Sequence, residues 1–370
     1  MNPKIPTYLS SLNSCPTRFR ASQLEILSFL TSVHEQSARL KGHDFSEIAL
    51  LARYAVKEKD ISLRGFEIND FFLAPEERQF CKPSIKSPSG ATIQDRLKFF
   101  GIRAKEVFEY FYNNETNEPE HIIHVTCTGY LSPSAAQLLV AERQWSTEIT
   151  HAYHMGCYSS LPALRLAIGQ AVGFGKTVDL VHTEICSLHV NPNLHTPEQF
   201  IVQTLFGDGH IQYQLSQQKK GPSFKVITIK EKIIPNSYED MTWMPSSNGM
   251  AMSLSRNVPD KIHEHIRTFI TELFDEAEIS LSNTLANGIF AIHPGGPKII
   301  ETVGQVLELR AEQFACSKKV LFENGNMSSA TLPFIWQQIA QSEIPKGTPI
   351  VSLAFGPGLT IFGAVFEFEP

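Results

Sequence analysis

The stretch HAYHMGCYSSLPALRLAIGQ, residues 151–170, decides how this chain is read. Its first part alternates polar and apolar side chains as a short strand does. Leu161, Ala163, Leu164, Leu166, Ala167 and Ile168 then recur at helical spacing, so Gly156 and Cys157 lie on a strand-to-helix turn. A thiol placed there meets unpaired amides and the positive end of the helix, which favour the thiolate and predict a lowered pKa. The competing reading is that Cys157 is a small buried apolar residue, as free cysteines often are.

Composition narrows the class before any other motif is used. With 370 residues and 42% hydrophobic content the chain can bury a large core and divide into two domain-sized halves. The net charge of −6 is spread without like-charge blocks, which argues against nucleic acid as a partner. No secretory leader and no apolar run of membrane-spanning length is read, so a cytoplasmic protein is expected. Six cysteines, dispersed and without a CxxC pair, argue for free thiols over a disulfide framework or a zinc cluster. The chemistry developed below requires no metal or redox cofactor.

On the amino-terminal side of the turn, the texture is mainly helical up to residue 120. An extended segment near residues 4–9 is followed by amphipathic helices over 23–41 and 45–57. A Pro- and Ser-rich loop at 81–90 leads to a third helix over 92–112, in which Gly101 is the expected point of interruption. From His121 short β-branched runs alternate with helices: HIIHVTCTG, SPSAAQLLVAERQ, ITHAYHM, the Cys157 helix, VDLVHTEICSLHV, PEQFIVQTLF and IQYQLSQ. This is the signature of an α/β layered domain. FKVITIKEKIIPNS then reads as paired strands, MAMSLSRNVPDKI leads into one long helix to about residue 286, and NGIFAIHPGG, KIIETVGQVLEL, MSSATLPFIWQQIA, PIVSLAFGPG and TIFGAVFEFEP follow. The two halves are similar in element order and join near 217–221, giving 1–217 and 218–370 as the expected units.

Four further glycine-rich turns stand beside MGC: FGDG at 206–209, HPGGP at 293–297, GNMSSA at 325–330 and FGPGLT at 355–360. Each alone is a common way to accommodate a positive φ or a close backbone approach. Together and in this order, downstream of a GC that opens a helix, they resemble the chalcone-synthase-like ketosynthases, the type III polyketide synthases. The resemblance covers roughly residues 120–370.

It implies an α/β thiolase fold, two similar halves in alternating helix and sheet layers, and a homodimer. By motif position it makes Cys157 the nucleophile, His293 its partner and Asn326 a second donor at the thioester carbonyl, with an oxyanion region near Phe355 and Gly356. The chemistry agrees with the assignment. A thiolate both accepts an acyl group and leaves again, imidazole can pair with it, and a carboxamide remains a neutral donor at every working pH. The substrate pocket is expected to include Cys127, His189, Phe206 and Met252; methionine at a position where relatives carry phenylalanine gives a flexible wall suited to a long acyl chain. His189 and Met252 could equally be packing residues.

In plant members basic residues of an early helix grip the phosphates of coenzyme A, and here Leu51, Tyr54 and Glu58 fall on those positions. That favours substrates delivered by an acyl carrier protein, as in stand-alone ketosynthases that join two β-ketoacyl chains into an α-pyrone, over acyl-CoA. Joining two such chains releases no carboxylate and needs a base, for which Glu184 is the candidate; a buried hydrogen bond or salt bridge is its structural alternative. Two other readings stay open: an iterative enzyme extending a fatty acyl starter with malonyl-CoA to alkylpyrones or alkylresorcinols, and a non-catalytic subunit that only binds a carrier protein.

Overall fold

The first long helix begins where the sequence offers a reciprocal cap. Ser22 accepts a hydrogen bond from the Glu25 amide, Glu25 accepts one from the Ser22 amide at 2.7 Å, and Gly42 ends the helix at φ 65°. The computed structural model describes residues 5–42, 48–113 and 118–370. Its first half comprises β1 (Tyr8–Cys15), β2 (Phe19–Ser22), α1 (Gln23–Lys41), α2 (Ala49–Tyr54), β3 (Leu63–Phe66), α3 (Ile93–Phe111), β4 (His121–Thr126), α4 (Ala135–Arg143), β5 (Glu148–Tyr153), α5 (Ser160–Phe174), β6 (Val178–Glu184), α6 (Pro197–Leu205) and β7 (Gly209–Ser216). Its second half comprises β8 (Ser223–Ile233), β9 (Met241–Ser246), β10 (Gly249–Leu254), α7 (Val258–Ala277), α8 (Leu281–Asn287), β11 (Ile289–Ile292), α9 (Pro297–Val306), α10 (Ala315–Asn324), α11 (Thr331–Ala340), β12 (Pro349–Gly356) and β13 (Thr360–Glu369). Residue 4 of the expected leading strand and residues 45–47 of the expected second helix lie outside the described residues.

Strand order explains the layering. The large sheet runs β11-β12-β13-β8-β1-β7-β6-β4-β5, and β1 and β8 meet antiparallel at its centre, Tyr8 opposite Lys225 and Leu9 opposite Phe224. Outward from this seam, β1-β7-β6-β4 is repeated by β8-β13-β12-β11, with two antiparallel pairings and then a parallel one on each side. Strand β5 has no counterpart. Helix α5 packs on β6 and β7 of its own half and on β13 of the other, while α11 packs on β1, β7 and β11. These two helices therefore form the middle layer.

Burial follows the same plan. One core gathers Leu164, Ala167 and Ile168 of α5 with Leu332, Ile335 and Trp336 of α11. A second lies under α1, α3 and α4, and a third under α7 and α9. Strands β4 and β6 are buried along their whole length, so their side chains alternate between two cores and their sequences read as unbroken apolar and paired polar runs. Among the described residues no helix is long and apolar enough to cross a membrane.

Four expectations are corrected. FKVITIKEKIIPNS forms one long strand, β8, because no turn residue precedes Pro235 and Asn236, and Asn236 supplies the positive φ of 54° only after the strand has ended. The expected helix to residue 286 breaks where Glu278 adopts φ 55° and Ser280 caps a new helix, α8. MAMSLS is strand β10, paired with β9 across the Ser-Asn-Gly turn at 247–249. Gly101 does not interrupt α3; a Cβ there would lie 2.5 Å from the Leu131 side chain, so glycine serves a close approach.

Candidate active site

Strand β5 ends at Tyr153, and the chain reverses through His154 at φ 61° and Gly156 at φ 89° before α5 begins at Ser160. Gly156 is required there twice over: its conformation is left-handed, and a Cβ would lie 2.5 Å from the ring of Pro357. Its amide donates to the Cys127 sulfur at 3.1 Å. Cys157 follows directly, half-buried.

Burial works against the expected thiolate. Burial pushes the Cys157 thiol up to about 12, and hydrogen bonds from Ser328 and Asn326 only partly oppose it. A helix terminus contributes at most about 2 kcal/mol in a favourable partly buried geometry, and here the first helical residue lies three positions further along the chain. Burial wins. His293 is held by its amide, which donates to the Leu353 carbonyl at 2.8 Å, and burial pushes its imidazole down to about 3. Neither ring nitrogen has a hydrogen-bond partner among the described residues. Burial thus favours the neutral thiol and the neutral imidazole, two groups on the wall of one cavity.

Asn326 is fixed from both ends. Its amide donates to the Leu205 carbonyl at 3.0 Å, its carbonyl accepts from the Gly207 amide at 2.9 Å, and it forms a bridge with Phe206, so the FGDG and GNMSSA turns are tied together. Its side-chain oxygen accepts from the Ser328 amide at 2.9 Å and the Thr331 hydroxyl at 3.3 Å. That leaves Nδ2 buried and facing the Cys157 sulfur, with no other protein group to donate to. Asp208 of FGDG secures the same region: it accepts from the amides of Glu67 and Ser187 and from the Ser187 hydroxyl, and burial raises its pKa to about 7.

The repeat of the fold accounts for the placement. His293 follows β11 as Cys127 follows β4, and Asn326 shortly precedes α11 as Cys157 shortly precedes α5. Each half thus offers one residue after the outermost strand of its repeat and one before its middle-layer helix.

Two cavities meet at Cys157. The first is lined by Cys127, Cys157, His189, Phe206, Trp243 and Met252 together with Arg64, Thr128, Gln203 and others. The second is lined by Cys157, His293, Asn326, Met252, Phe355, Arg256 and Lys298 among others. Cys157, Met241 and Met252 belong to both walls. The expected pocket residues are thus brought together with the nucleophile. Phe355 joins His293 and Asn326, whereas Gly356 ends β12 where a Cβ would lie 2.1 Å from the Tyr158 ring. Glycine at 356 makes room for that tyrosine.

His189 lines the first cavity as a neutral, locked side chain. Its Nε2 donates to the Thr128 carbonyl at 2.9 Å, its Nδ1 accepts from the Met250 amide at 3.1 Å, and burial pushes its pKa down to about 3. The Trp243 ring meets it edge-on, centroids 5.6 Å apart, and donates Nε1–H to the Cys127 carbonyl at 2.7 Å. Trp243, Arg64 and Met241 were not anticipated; the Asn-Gly turn at 248–249 was the available signal for the hairpin that carries two of them.

Glu184 is fully buried and lies on the wall of neither cavity. Its oxygens accept from the Cys127 amide at 3.0 Å, the hydroxyls of Thr128 at 2.8 Å and Thr126 at 3.3 Å, and both the amide and hydroxyl of Ser329. It joins the turn after β4 to the turn before α11, and burial raises its pKa. Glu184→Gln places an amide N–H₂ against one of these donors. The expected cost is about 2–3 kcal/mol of stability, read as a lower denaturation midpoint, with acyl loading and condensation falling together. Loss of condensation alone, with loading and stability intact, would assign the carboxylate a proton-transfer role instead.

The expected lack of cations at the tunnel mouth is also revised. Arg256 and Lys298, both exposed, lie on the wall of the second cavity, and the Arg256 guanidinium sits 5.5 Å from the centre of the Tyr54 ring. Positive charge comes from the starts of α7 and α9 in place of α2.

Residues 225–368 match the family model for chalcone and stilbene synthases, C-terminal domain. The chain is 27% identical over 299 residues to a type III polyketide synthase C of Arabidopsis thaliana, covering 76% of this chain and 77% of that protein. It is 29% identical over 256 residues to an alpha-pyrone synthesis polyketide synthase-like protein of Mycobacterium tuberculosis, covering 66% of this chain and 64% of that protein. A probable polyketide synthase of Dictyostelium discoideum matches 69% of this chain at 28% identity, but the match is 8% of that much longer protein. In fold, the chain superposes on the C-terminal type III domain of a type I/III hybrid synthase from Dictyostelium, with a TM-score of 0.82, 23% identity, and coverage of 98% and 99% of the two chains. It superposes similarly on 1,3,6,8-tetrahydroxynaphthalene synthase from Streptomyces coelicolor, with a TM-score of 0.81, 20% identity, and coverage of 98% and 99%.

Proposed function

We propose that the chain is a condensing enzyme like the type III polyketide synthases it is similar to, and that it loads one acyl chain on Cys157 and condenses it with a second thioester. Residues 1–217 supply the nucleophile and residues 218–370 supply His293 and Asn326. The observation that supports this reading is the meeting of two cavities at one cysteine, with His293 and the Asn326 side-chain amide on the wall of the second and neither ring nitrogen of His293 already paired.

In loading, the Cys157 sulfur attacks the thioester carbonyl and its proton passes to His293. The tetrahedral intermediate collapses, and the departing carrier thiolate takes that proton back. The acyl chain then occupies the first cavity. The second chain enters the other cavity, where its thioester oxygen receives hydrogen bonds from Asn326 Nδ2 and His293. Removal of an α-proton gives an enolate whose oxygen these donors stabilise, its carbon attacks the acyl-Cys157 carbonyl, and the Cys157 thiolate leaves. Since the Glu184 oxygens are already filled, His293 takes that proton on its unprotonated nitrogen, holds the enolate oxygen as the imidazolium and returns the proton to the departing Cys157 thiolate. If the new chain's enol oxygen then attacks its own thioester carbonyl, a six-membered lactone forms and the second carrier thiol is released: an α-pyrone.

The carrier arm enters by the second cavity, where Arg256 and Lys298 can pair with a phosphate. Both an acyl carrier protein's prosthetic arm and coenzyme A have that chemistry. The apolar, methionine-lined junction suits two long chains better than repeated small extender units.

Supplying two β-ketoacyl thioesters is expected to give a pyrone without release of carbon dioxide. Supplying a fatty acyl thioester with carboxyl-labelled malonyl-CoA is expected to release little label. Stoichiometric label release with product formed only from malonyl units would replace the two-chain reading by the iterative one.

A further inference from the structure

The first cavity is apolar for most of its wall, yet it is bordered by a buried arginine whose hydrogen bonding is incomplete. Arg64 is 1% exposed. Its Nη1 donates to the carbonyls of Gln203, at 3.1 Å, and Phe206, whereas Nε and Nη2 have no partner among the described residues. Nε and Nη2 form one edge of the guanidinium, two parallel N–H groups spaced to receive the two oxygens of a carboxylate.

Nothing nearby already fills that role. Arg64 makes no ion pair among the described residues. Asp208 is close enough to act on it electrostatically, but the Asp208 oxygens are taken by Glu67 and Ser187. Burial pushes the Arg64 pKa down to about 9, the sign of a cation short of compensation. Its side chain is threaded between two glycines of the active-site turns: a Cβ at Gly207 would lie 3.3 Å from the Arg64 Cβ, and one at Gly325 2.8 Å from its Cδ. The guanidinium is thus held in place while one edge is left unused, at a cost of several unmade hydrogen bonds to a charged group.

We propose that Arg64 is a specificity residue which receives a carboxylate at the far end of the acyl chain carried by Cys157, so that the first chain is a dicarboxylic half-thioester. The inference rests on the acyl-Cys157 reading above. Arg64, Phe66 and Phe71 line the same cavity as Cys157, so an aliphatic chain would run along the apolar wall from the sulfur toward the cation. The first chain would accordingly come from a reaction that oxidises or carboxylates the end of an acyl chain.

The test uses the full chain and three model thioesters of equal length: octanoyl, 7-oxooctanoyl and suberyl N-acetylcysteamine. Intact-protein mass spectrometry follows the adduct. Wild type is expected to load the suberyl group about a hundredfold faster than the octanoyl group. Arg64→Met is expected to reverse the order, and Arg64→Lys to retain part of the preference. Equal loading of octanoyl and suberyl groups by wild type overturns the proposal, as does preference for the ketone; both can be read even if the variants do not fold. Absence of any adduct removes the acyl-Cys157 reading and the proposal with it, so the two failures are distinct.

Discussion

An Asn326→Asp protein is expected to lose a factor of about a hundred to a thousand in condensation rate. The substitution keeps the shape and the oxygen that accepts from Ser328 and Thr331, so the turn before α11 retains its brace. It replaces the Nδ2 donor by an acceptor, and by a negative charge when ionised, opposite the oxygen on which the enolate charge develops. Loading depends less on that donor and is expected to fall about tenfold or less. Single-turnover measurements separate the steps: adduct mass reports loading, and product release from preloaded enzyme reports condensation. Condensation at the wild-type rate would show that Asn326 does not face the reacting oxygen.

Acid lability is the second large effect. His34 is pushed down to about 4, and His124, His182, His189 and His293 to about 3, each by burial of the neutral ring. A folded-state pKa below the unfolded value near 6.5 means that the unfolded chain takes up protons first as pH falls. The contribution is therefore complete above about pH 6.5 and is lost progressively toward pH 3–4. Near pH 5 each histidine costs about 2 kcal/mol, so the five together approach 10 kcal/mol. Asp208, raised to about 7, works in the opposite direction and returns about 3 kcal/mol over the same range. The histidines win. Denaturant midpoints measured at pH 7.5 and pH 5 are expected to fall steeply with acid, while an unchanged or higher midpoint at pH 5 would mean that these rings are not buried neutral.

Local turn chemistry made much of the site readable in advance. Gly156 and Gly325 need positive φ, Ser134 and Thr92 cap their helices, and Phe206 and Asn326 lie in glycine turns that the fold brings into one bridge. The charge state was not readable, because the Cys157 thiol is governed by burial contributed by both halves, and a turn seen alone suggests only the helix dipole. Glu184 is a similar case: its partner Ser329 is 145 positions away, so its bracing role depends on the seam between halves. The two halves share strand order and the position of the middle-layer helix without a legible repeat in their amino acids, because a core needs only apolar side chains of the right pattern and volume. The β9–β10 hairpin was missed for a different reason. Its strands sit partly exposed at the cavity rim, and MTWMPS and GMAMSL do not alternate as a half-buried pair usually does.

Three thiols, Cys127, Cys157 and Cys186, line one cavity, and burial raises Cys127 and Cys186 well above the ordinary thiol range. Only Cys157 is also on the wall that holds His293 and Asn326. Exposing the protein to a labile acyl thioester and weighing it intact therefore tests the nucleophile directly. The expected result is one acyl group per chain, absent from Cys157→Ala and located on Cys157 by peptide mapping; an adduct that persists in Cys157→Ala, or one carried by Cys127 or Cys186, would contradict it.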